Sequence, residues 1–298
     1  MRYNTLKNGM KISEISFGCM SLKPDEPQNK SLIEKAIDGG INLFDTADLY
    51  DKGLNEQLLG NAVKGRRKDI LISTKVGNRW RPDGSGWDWN PRKGHILQAV
   101  DESLRRLQTD YIDLYLLHGG TIKDPIDEAI EAFERLEDSG KIRGYGLSSI
   151  RPNVIREYVQ RSNISVVMTQ YSLLDRRPEE ATLSLLQSNG IGVMARGTVA
   201  SGLLAGKTKP AKEYLGIATA QVADIQYRLS QYWAARKIEE NAIRYVADHP
   251  AVTTAVVGIR TEEQLLDALD TANALPMAAD EREPLTRLWQ GNIYTEHR

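Results

Sequence analysis

From Ile15 to Leu269 short apolar runs alternate with stretches of helical periodicity, and the unit repeats eight times without a linker or a break in composition. Ile15-Ser-Phe-Gly18 opens the series as a strand. After a polar loop, Ser31 to Asp38 places Leu32, Ile33, Ala36 and Ile37 on one side of a helix that Gly39-Gly40 ends. Strand 41–44 precedes a helix near 55–64, and strand 70–74 precedes a helix near 95–107 with Leu97, Val100, Leu104 and Leu107 in register. Strand 111–117 leads to a helix carrying Ile126, Ile130, Phe133 and Leu136, which Gly140 stops. Strands at 142–147 and 164–168 lead to helices after Pro152 and Pro178. Strand 191–195 is followed by an irregular stretch, 197–227, and a helix over Ser230–Ala247; strand 253–257 is followed by a helix with Leu265, Leu266 and Leu269. Repetition of this kind predicts the α/β class and a closed parallel sheet, the (β/α)8 TIM barrel, with residues 1–298 as a single domain. Two short alternating segments around Lys7-Asn8-Gly9-Met10 precede it and predict an N-terminal β-hairpin plug or lid.

Composition narrows the partners. With a formal net charge of -1 the chain has no electrostatic case for nucleic acid or an anionic membrane surface. Met1-Arg-Tyr-Asn-Thr-Leu-Lys7 lacks the apolar core of a signal peptide, and no run approaches the ~20 apolar residues that span a bilayer. Cys19 is the only cysteine, so neither an internal disulfide nor a Cys-based metal cluster can form. The expectation is a cytoplasmic protein that binds neither nucleic acid nor membrane and uses no metal. The oligomeric state is not legible.

A barrel gathers all its strand ends, and the loops after them, on one face. The residues just beyond the apolar runs are Cys19-Met20, Asp45, Lys75, His118, Ser148-Ser149, Gln170, Arg196 and Gly258-Ile259-Arg260. Singly, Asp45 reads as a turn cap, Lys75 as a solvated amine, Tyr50 as a loop aromatic and His118 as a hydrogen-bonded rim residue. Together, on the ends of the second, third and fourth strands, they suit protonation of a developing alkoxide. A phenol is too weak an acid for that at neutral pH unless a neighbouring ammonium favours the phenolate. Asp45 would hold Lys75 by an ion pair, and His118 would orient a carbonyl or relay a proton. None of these groups supplies reducing equivalents, so a hydride donor must be bound.

The segment Gly40-Ile-Asn-Leu-Phe-Asp45-Thr-Ala-Asp-Leu-Tyr50, continued to Asn55-Glu56-Gln-Leu-Leu59-Gly60, resembles the signature of the aldo-keto reductase superfamily. Ile72-Ser-Thr-Lys75 and Leu-Leu-His118 are similar to its lysine and histidine strands, and the likeness runs over essentially the whole chain. The resemblance implies NADPH-dependent reduction of an aldehyde or ketone to an alcohol, with Tyr50 as general acid supported by Asp45, Lys75 and His118. It also implies a cofactor site. Gly146-Leu-Ser148-Ser149 resembles the family's Gly-x-Ser-Asn, whose Ser binds the nicotinamide carboxamide together with a Gln matched by Gln170. Met20 and Asp45 adjoin the nicotinamide. Ala195 to Lys207 resembles the segment that stacks on nicotinamide and wraps the pyrophosphate, with Arg196 where an aromatic stacker is common and with Gly197, Thr198, Val199, Ser201 and Lys207 along it. Val257-Gly258-Ile259-Arg260-Thr261, followed by Gln264 and Asp267, resembles the adenosine 2′-phosphate and adenine site. Ala268 stands where the family often has Asn.

Other readings stand beside this one. Members of the same superfamily serve as cofactor-binding, redox-sensing regulatory subunits of membrane channels; the presence of His118 argues for turnover. His118-Gly119-Gly120 with Gly146-Leu-Ser148-Ser149 imitates a serine esterase using Ser148, although Ile150 occupies the place of the elbow's final Gly and the triad His would be His249 or His297. Gly202-x-x-x-Gly206-Lys207-Thr208 echoes a phosphate-binding loop but is one residue short of its spacing. The loop after the third strand holds Trp80, Trp87 and Trp89 with Arg79 and Arg81, which suits a carbonyl substrate that is partly apolar or carries an anion. The stretch 200–227 is expected to fold over bound dinucleotide.

Overall fold

The computed structural model describes residues 1–23, 26–206, 209–232 and 236–298. Ile15–Gly18, Leu43–Asp45, Leu71–Val76, Leu114–Leu117, Tyr145–Ser148, Val166–Gln170, Gly192–Arg196 and Thr254–Gly258 pair in parallel in chain order. The last pairs with the first, Ala255 opposite Ile15 and Gly258 opposite Gly18, and the sheet closes into the (β/α)8 barrel. Helices Asn29–Asp38, Leu54–Ala62, Lys93–Leu107, Ile126–Asp138, Pro152–Arg161, Thr182–Ser188, Ile238–Ala247 and Glu262–Asn273 follow the strands in turn. Among the described residues no helix is long and apolar enough to cross a membrane.

Side chains alternate across a strand, and here the alternation sorts the core into two layers. Phe17, Phe44, Ile72, Tyr115, Leu117, Val167, Val193, Ala255 and Val257 belong to the layer shared with the helices. Leu43, Leu114, Leu116, Val166, Met168, Met194 and Val256 form the second cluster, inside the barrel. Stepping two residues along each inward row arrives at Asp45, His118, Gln170, Arg196 and Gly258. The same parity carries Leu71, which packs on the inner cluster, to Lys75. Strand register therefore brings these residues to one end of the barrel interior.

The other end is closed by the N-terminal hairpin. Tyr3–Thr5 pairs antiparallel with Lys11–Ser13, and Leu6 and Ile12 join the inner cluster. Leu6 N–H donates to the Met10 carbonyl oxygen and Gly9 N–H to that of Leu6, both at 2.9 Å, with Gly9 supplying the left-handed φ of 86°. A Cβ on Gly192 would meet Leu6 Cδ2 at 2.2 Å, so the start of the seventh strand is bare where the plug enters. Beside it the buried Arg244 guanidinium bonds Glu14 Oε2 at 3.1 Å and Asp248 Oδ1 at 3.3 Å. Burial pushes the Glu14 carboxyl up, but the bonds from Arg244 and Arg2 outweigh it and hold the group below the usual range.

Three segments depart from the sequence reading. Part of the stretch read as irregular is a helix, Thr219–Tyr232, anchored by the buried Val222, Ile225 and Leu229; the helix expected over 230–247 begins at Ile238, and residues 233–235 lie outside the described ones. The loop after the third strand is an antiparallel hairpin, Asn78–Trp80 with Trp87–Trp89. A further helix, Ala279–Thr286, and the tail beyond it pack over the loop after the sixth strand, where Trp289 Nε1 donates to the Leu173 carbonyl oxygen at 2.6 Å.

Candidate active site

Asp45 and Lys75 come from adjacent strands, with Asp45 opposite Ser73 in the register. Lys75 is fully buried; its Nζ donates to Asp45 Oδ2 and to the Thr46 carbonyl oxygen, each at 2.7 Å, and lies 3.4 Å from the Tyr50 hydroxyl. Burial alone would lower the Lys75 pKa, but the charge of Asp45 and then Tyr50 prevail and hold the ammonium above the ordinary lysine value. Burial also pushes the Asp45 carboxyl up, against the pull of Lys75. The pair thus keeps its proton on the amine, next to the phenol.

Tyr50 is delivered by a tight turn. Tyr50 N–H donates to the Ala47 carbonyl oxygen at 3.1 Å, and the chain then passes through left-handed Asp51 (φ 47°), Lys52 (φ 54°) and Gly53 (φ 86°) into helix Leu54–Ala62. At Gly53 a Cβ would meet Arg106 Cδ at 2.7 Å, so a side chain there would displace the Arg106 arm. The two polar residues after it brace the strands. Thr46 Oγ1 donates to Asn55 Oδ1 at 2.7 Å, and Thr74 Oγ1 to Glu56 Oε1 at 2.6 Å. Arg106 Nε donates to the other Glu56 oxygen at 2.6 Å. Asn55 and Glu56 thereby fix the immediate neighbours of Asp45 and Lys75.

His118 completes the cluster, its ring edge-on to Tyr50 with centroids 5.8 Å apart. Burial, then the charges of Lys75 and Arg196, brings its pKa down to about 3, so the imidazole is neutral at working pH. Its Nδ1 is buried and has no hydrogen-bond partner within the described chain, as is also true of Asp45 Oδ1.

From this cluster a cleft of about 1180 Å³ crosses the barrel mouth, larger than the ~300–1,000 Å³ of an ordinary small-molecule pocket. Met20, Asp45, Tyr50 and His118 are among its lining residues. Ser148, Gln170 and Arg196 follow, with Arg196 Nη1 donating to Gln170 Oε1 at 3.0 Å. Gly197, Val199 and Ser201 line it too, and Ala200 (φ 47°) and Ser201 (φ 56°) adopt left-handed backbone rare outside glycine. Gly258, Arg260 and Gln264 also line the cleft, at the start of helix Glu262–Asn273, whose first turn is capped by Thr261 Oγ1 accepting from Gln264 N–H at 3.2 Å. Arg260 is exposed and, among the described residues, forms no ion pair.

Three expected positions do not line the cleft, one of them the fully buried Lys75. Thr198 faces inward and is buried, and Asp267 is buried with its carboxylate 2.5 Å from Lys237 Nζ. Lys207 lies outside the described residues. Glu239 and Tyr214 were not anticipated and do line the cleft. Glu239 is in the first turn of Ile238–Ala247, a helix start that no capping residue marks, and Tyr214 sits in a loop held by its pairing with Ile217. Among the described residues no hydrogen bond joins Ser148 to a histidine; His249 instead packs edge-on against Tyr171, 5.7 Å between centroids.

A buried acid–amine pair beside a phenol, bordering a cleft sized for a dinucleotide on a (β/α)8 barrel, is the arrangement of a nicotinamide-dependent oxidoreductase. The chain belongs to the Aldo/keto reductase family, whose model matches residues 14–290. It is 46% identical over 294 residues to "Uncharacterized oxidoreductase YqkF" of Bacillus subtilis, covering 96% of each chain. Among solved structures it is similar to the holo form of aldo-keto reductase AKR11C1 from Bacillus halodurans, with a TM-score of 0.96, 47% identity and coverage of 100% of this chain and 99% of that one. The apo form of the same protein superposes with a TM-score of 0.87, at 45% identity and the same coverage. Membership brings a nicotinamide cofactor and small carbonyl substrates.

Proposed function

We propose that this protein reduces an aldehyde or ketone with NADPH and that Tyr50 delivers the proton. The observation that carries this reading is the Lys75 ammonium, fully buried, 2.7 Å from Asp45 Oδ2 and 3.4 Å from the Tyr50 hydroxyl. Bound cofactor supplies a hydride to the carbonyl carbon. The chain's share is the other half: the phenol gives its proton to the carbonyl oxygen as negative charge develops there, and the ammonium stabilises the phenolate left behind. Neutral His118 serves as an uncharged hydrogen-bonding group for that oxygen, because its depressed pKa removes it as an imidazolium acid.

Ser148 and Gln170 are suited to the nicotinamide carboxamide, Met20 and Arg196 to the ring, and the unpartnered Asp45 Oδ1 to a sugar hydroxyl. Gly197, Val199 and Ser201, with Lys207 beyond the described residues, are assigned to the pyrophosphate, and Gly258, Arg260 and Gln264 to the adenosine end. Thr198 and Asp267 are buried, Asp267 in an ion pair with Lys237, and are left out of this contact set. The single closed sheet supports treating 1–298 as one domain.

Preference for NADPH over NADH rests on Arg260, an exposed guanidinium without a carboxylate among the described residues and so available to a 2′-phosphate. Hydrogen bonds to charged groups contribute about 1.5–3 kcal/mol, so Arg260→Ala should weaken NADPH binding roughly 10- to 150-fold and leave NADH binding almost unchanged. Steady-state oxidation of each cofactor with a panel of aldehydes tests both parts. Tight NADPH binding without turnover of any carbonyl would point instead to a regulatory role, and equal losses for NADH and NADPH in Arg260→Ala would remove the 2′-phosphate assignment.

A further inference from the structure

The tryptophan hairpin is not used by the mechanism above, yet it forms a wall of the cleft. Trp80 pairs with Trp87, Arg79 with Asp88 and Asn78 with Trp89, so alternation puts the indoles on one face and the charged residues on the other. Trp87, Trp89 and Asn78 line the cleft. Arg81 is turned to Asp88, at 2.5 Å, and Arg79 is exposed. The cations that left an anionic substrate open at the level of sequence thus lie away from the site.

Trp89 packs the edge of its six-membered ring against two glycines. A Cβ on Gly77 would meet its Cζ3 at 2.6 Å, and one on Gly119 would lie 3.5 Å from its Cη2. Both glycines end strands that carry reacting-site residues, Lys75 and His118, and both have left-handed backbone, φ 123° and 134°. Trp89 Nε1 donates to Asp124 Oδ2 at 3.0 Å. The same carboxylate accepts Thr121 N–H at 2.7 Å and Thr121 Oγ1–H at 3.0 Å. Asp124 therefore ties the loop after His118 to the hairpin after Lys75 and fixes the indole where the two meet. Met20, Leu49 and Ile150 add apolar lining to the same cleft. Arg151 lines it too, and it donates from Nη1 to the Gly120 carbonyl oxygen.

We propose that Trp89, latched by Asp124, is the specificity-determining wall of the substrate subsite and that the subsite takes a flat, uncharged aryl aldehyde or ketone lying against the indole. This rests on the carbonyl-reductase reading. A fixed indole offers apolar area and an aromatic face without the entropic cost of ordering it on binding, whereas a carboxylate buried there would find the hairpin's arginines on the face opposite the indoles. Asp124 is a positioning residue, acting through Trp89.

The test compares kcat/KM for benzaldehyde, 4-carboxybenzaldehyde and propanal in wild type, Trp89→Leu and Asp124→Ala. Wild type should prefer benzaldehyde to 4-carboxybenzaldehyde by about tenfold or more, and Trp89→Leu should lower the benzaldehyde-to-propanal ratio by about tenfold. In Asp124→Ala the ratio should fall through KM for benzaldehyde with kcat largely retained. A ratio unchanged in both variants, or a wild type that favours the carboxylate through Arg151, overturns the inference while leaving carbonyl reduction standing. Failure of the wild type to reduce any of the three would overturn both.

Discussion

Asp45→Asn keeps the shape of a side chain while removing the charge paired with Lys75. In the native protein that ammonium is fully buried, 2.7 Å from both Asp45 Oδ2 and the Thr46 carbonyl oxygen. Removing one member of a buried pair costs about 3–5 kcal/mol, because the charge left behind is neither hydrated nor balanced. Two features put this case at the lower end, about 3 kcal/mol. The Thr46 carbonyl remains as an acceptor, and the variant no longer buries a carboxylate whose pKa burial already pushes up. The sign with pH follows from Lys75. Its folded pKa is raised, burial being outweighed by Asp45 and Tyr50, so the pairing stabilises the fold throughout the neutral range and is lost only as pH rises through that raised value. Without Asp45, burial prevails and the amine discharges at lower pH. The deficit against wild type should therefore be largest in mildly acidic to neutral solution and narrow as pH climbs. Activity should fall by about 10²–10⁴-fold, the worth of a tuned general acid. Urea midpoints across pH, read beside kcat, check both. A variant with the wild-type midpoint and kcat would show that the pair neither holds the fold nor tunes the phenol.

Three further outcomes follow from buried groups. Because burial, with Lys75 and Arg196, takes His118 down to about 3 from an ordinary value of 6.5, its contribution to stability is complete above that ordinary value and is lost as pH falls toward about 3. His118→Gln should flatten that part of the stability curve, and an undiminished decline would refute the assignment. Asp48 is pushed well above its ordinary value by burial and then by the charge of Glu56, and its Oδ1 is buried without a partner. Its carboxyl keeps its proton to higher pH in the fold than in the unfolded chain, so it destabilises as pH rises above 3.8, and Asp48→Asn should raise neutral-pH stability; a lowered urea midpoint would contradict this. Gly192→Ala places a Cβ 2.2 Å from Leu6 Cδ2 and should cost about 1–3 kcal/mol in the same measurement, with no loss expected only if the plug does not enter the barrel.

The barrel was legible because each of its strands is an apolar run whose alternate residues have partners on both sides, and runs such as Leu114–Leu117 and Val166–Gln170 stand out against polar loops. Asp45, Lys75, His118, Gln170 and Arg196 were readable as strand-end residues because each closes an apolar run; that they point inward follows from the parity of the paired strands. Helix Thr219–Tyr232 was missed although Val222, Ile225 and Leu229 recur at helical spacing, because three apolar residues among small and polar neighbours are a weak signal. The paired strands of the tryptophan loop are only Asn78–Trp80 and Trp87–Trp89, too short for alternation to register. Thr198 and Asp267 were placed by likeness of local pattern, and pattern does not say which side of a turn or helix faces the cleft. Asn55 and Glu56 were visible as part of the Gly40–Gly60 signature, but their work, bracing Thr46 and Thr74, is made of contacts between separate elements.

Replacing the Tyr50 phenol tests the central claim most directly. In Tyr50→Phe, single-turnover reduction of an aldehyde by bound NADPH should fall by about 10²–10⁴-fold, while the NADPH dissociation constant, read by fluorescence titration, stays at the wild-type value. Turnover near the wild-type rate with unchanged cofactor affinity would mean that the proton reaches the carbonyl oxygen from another group.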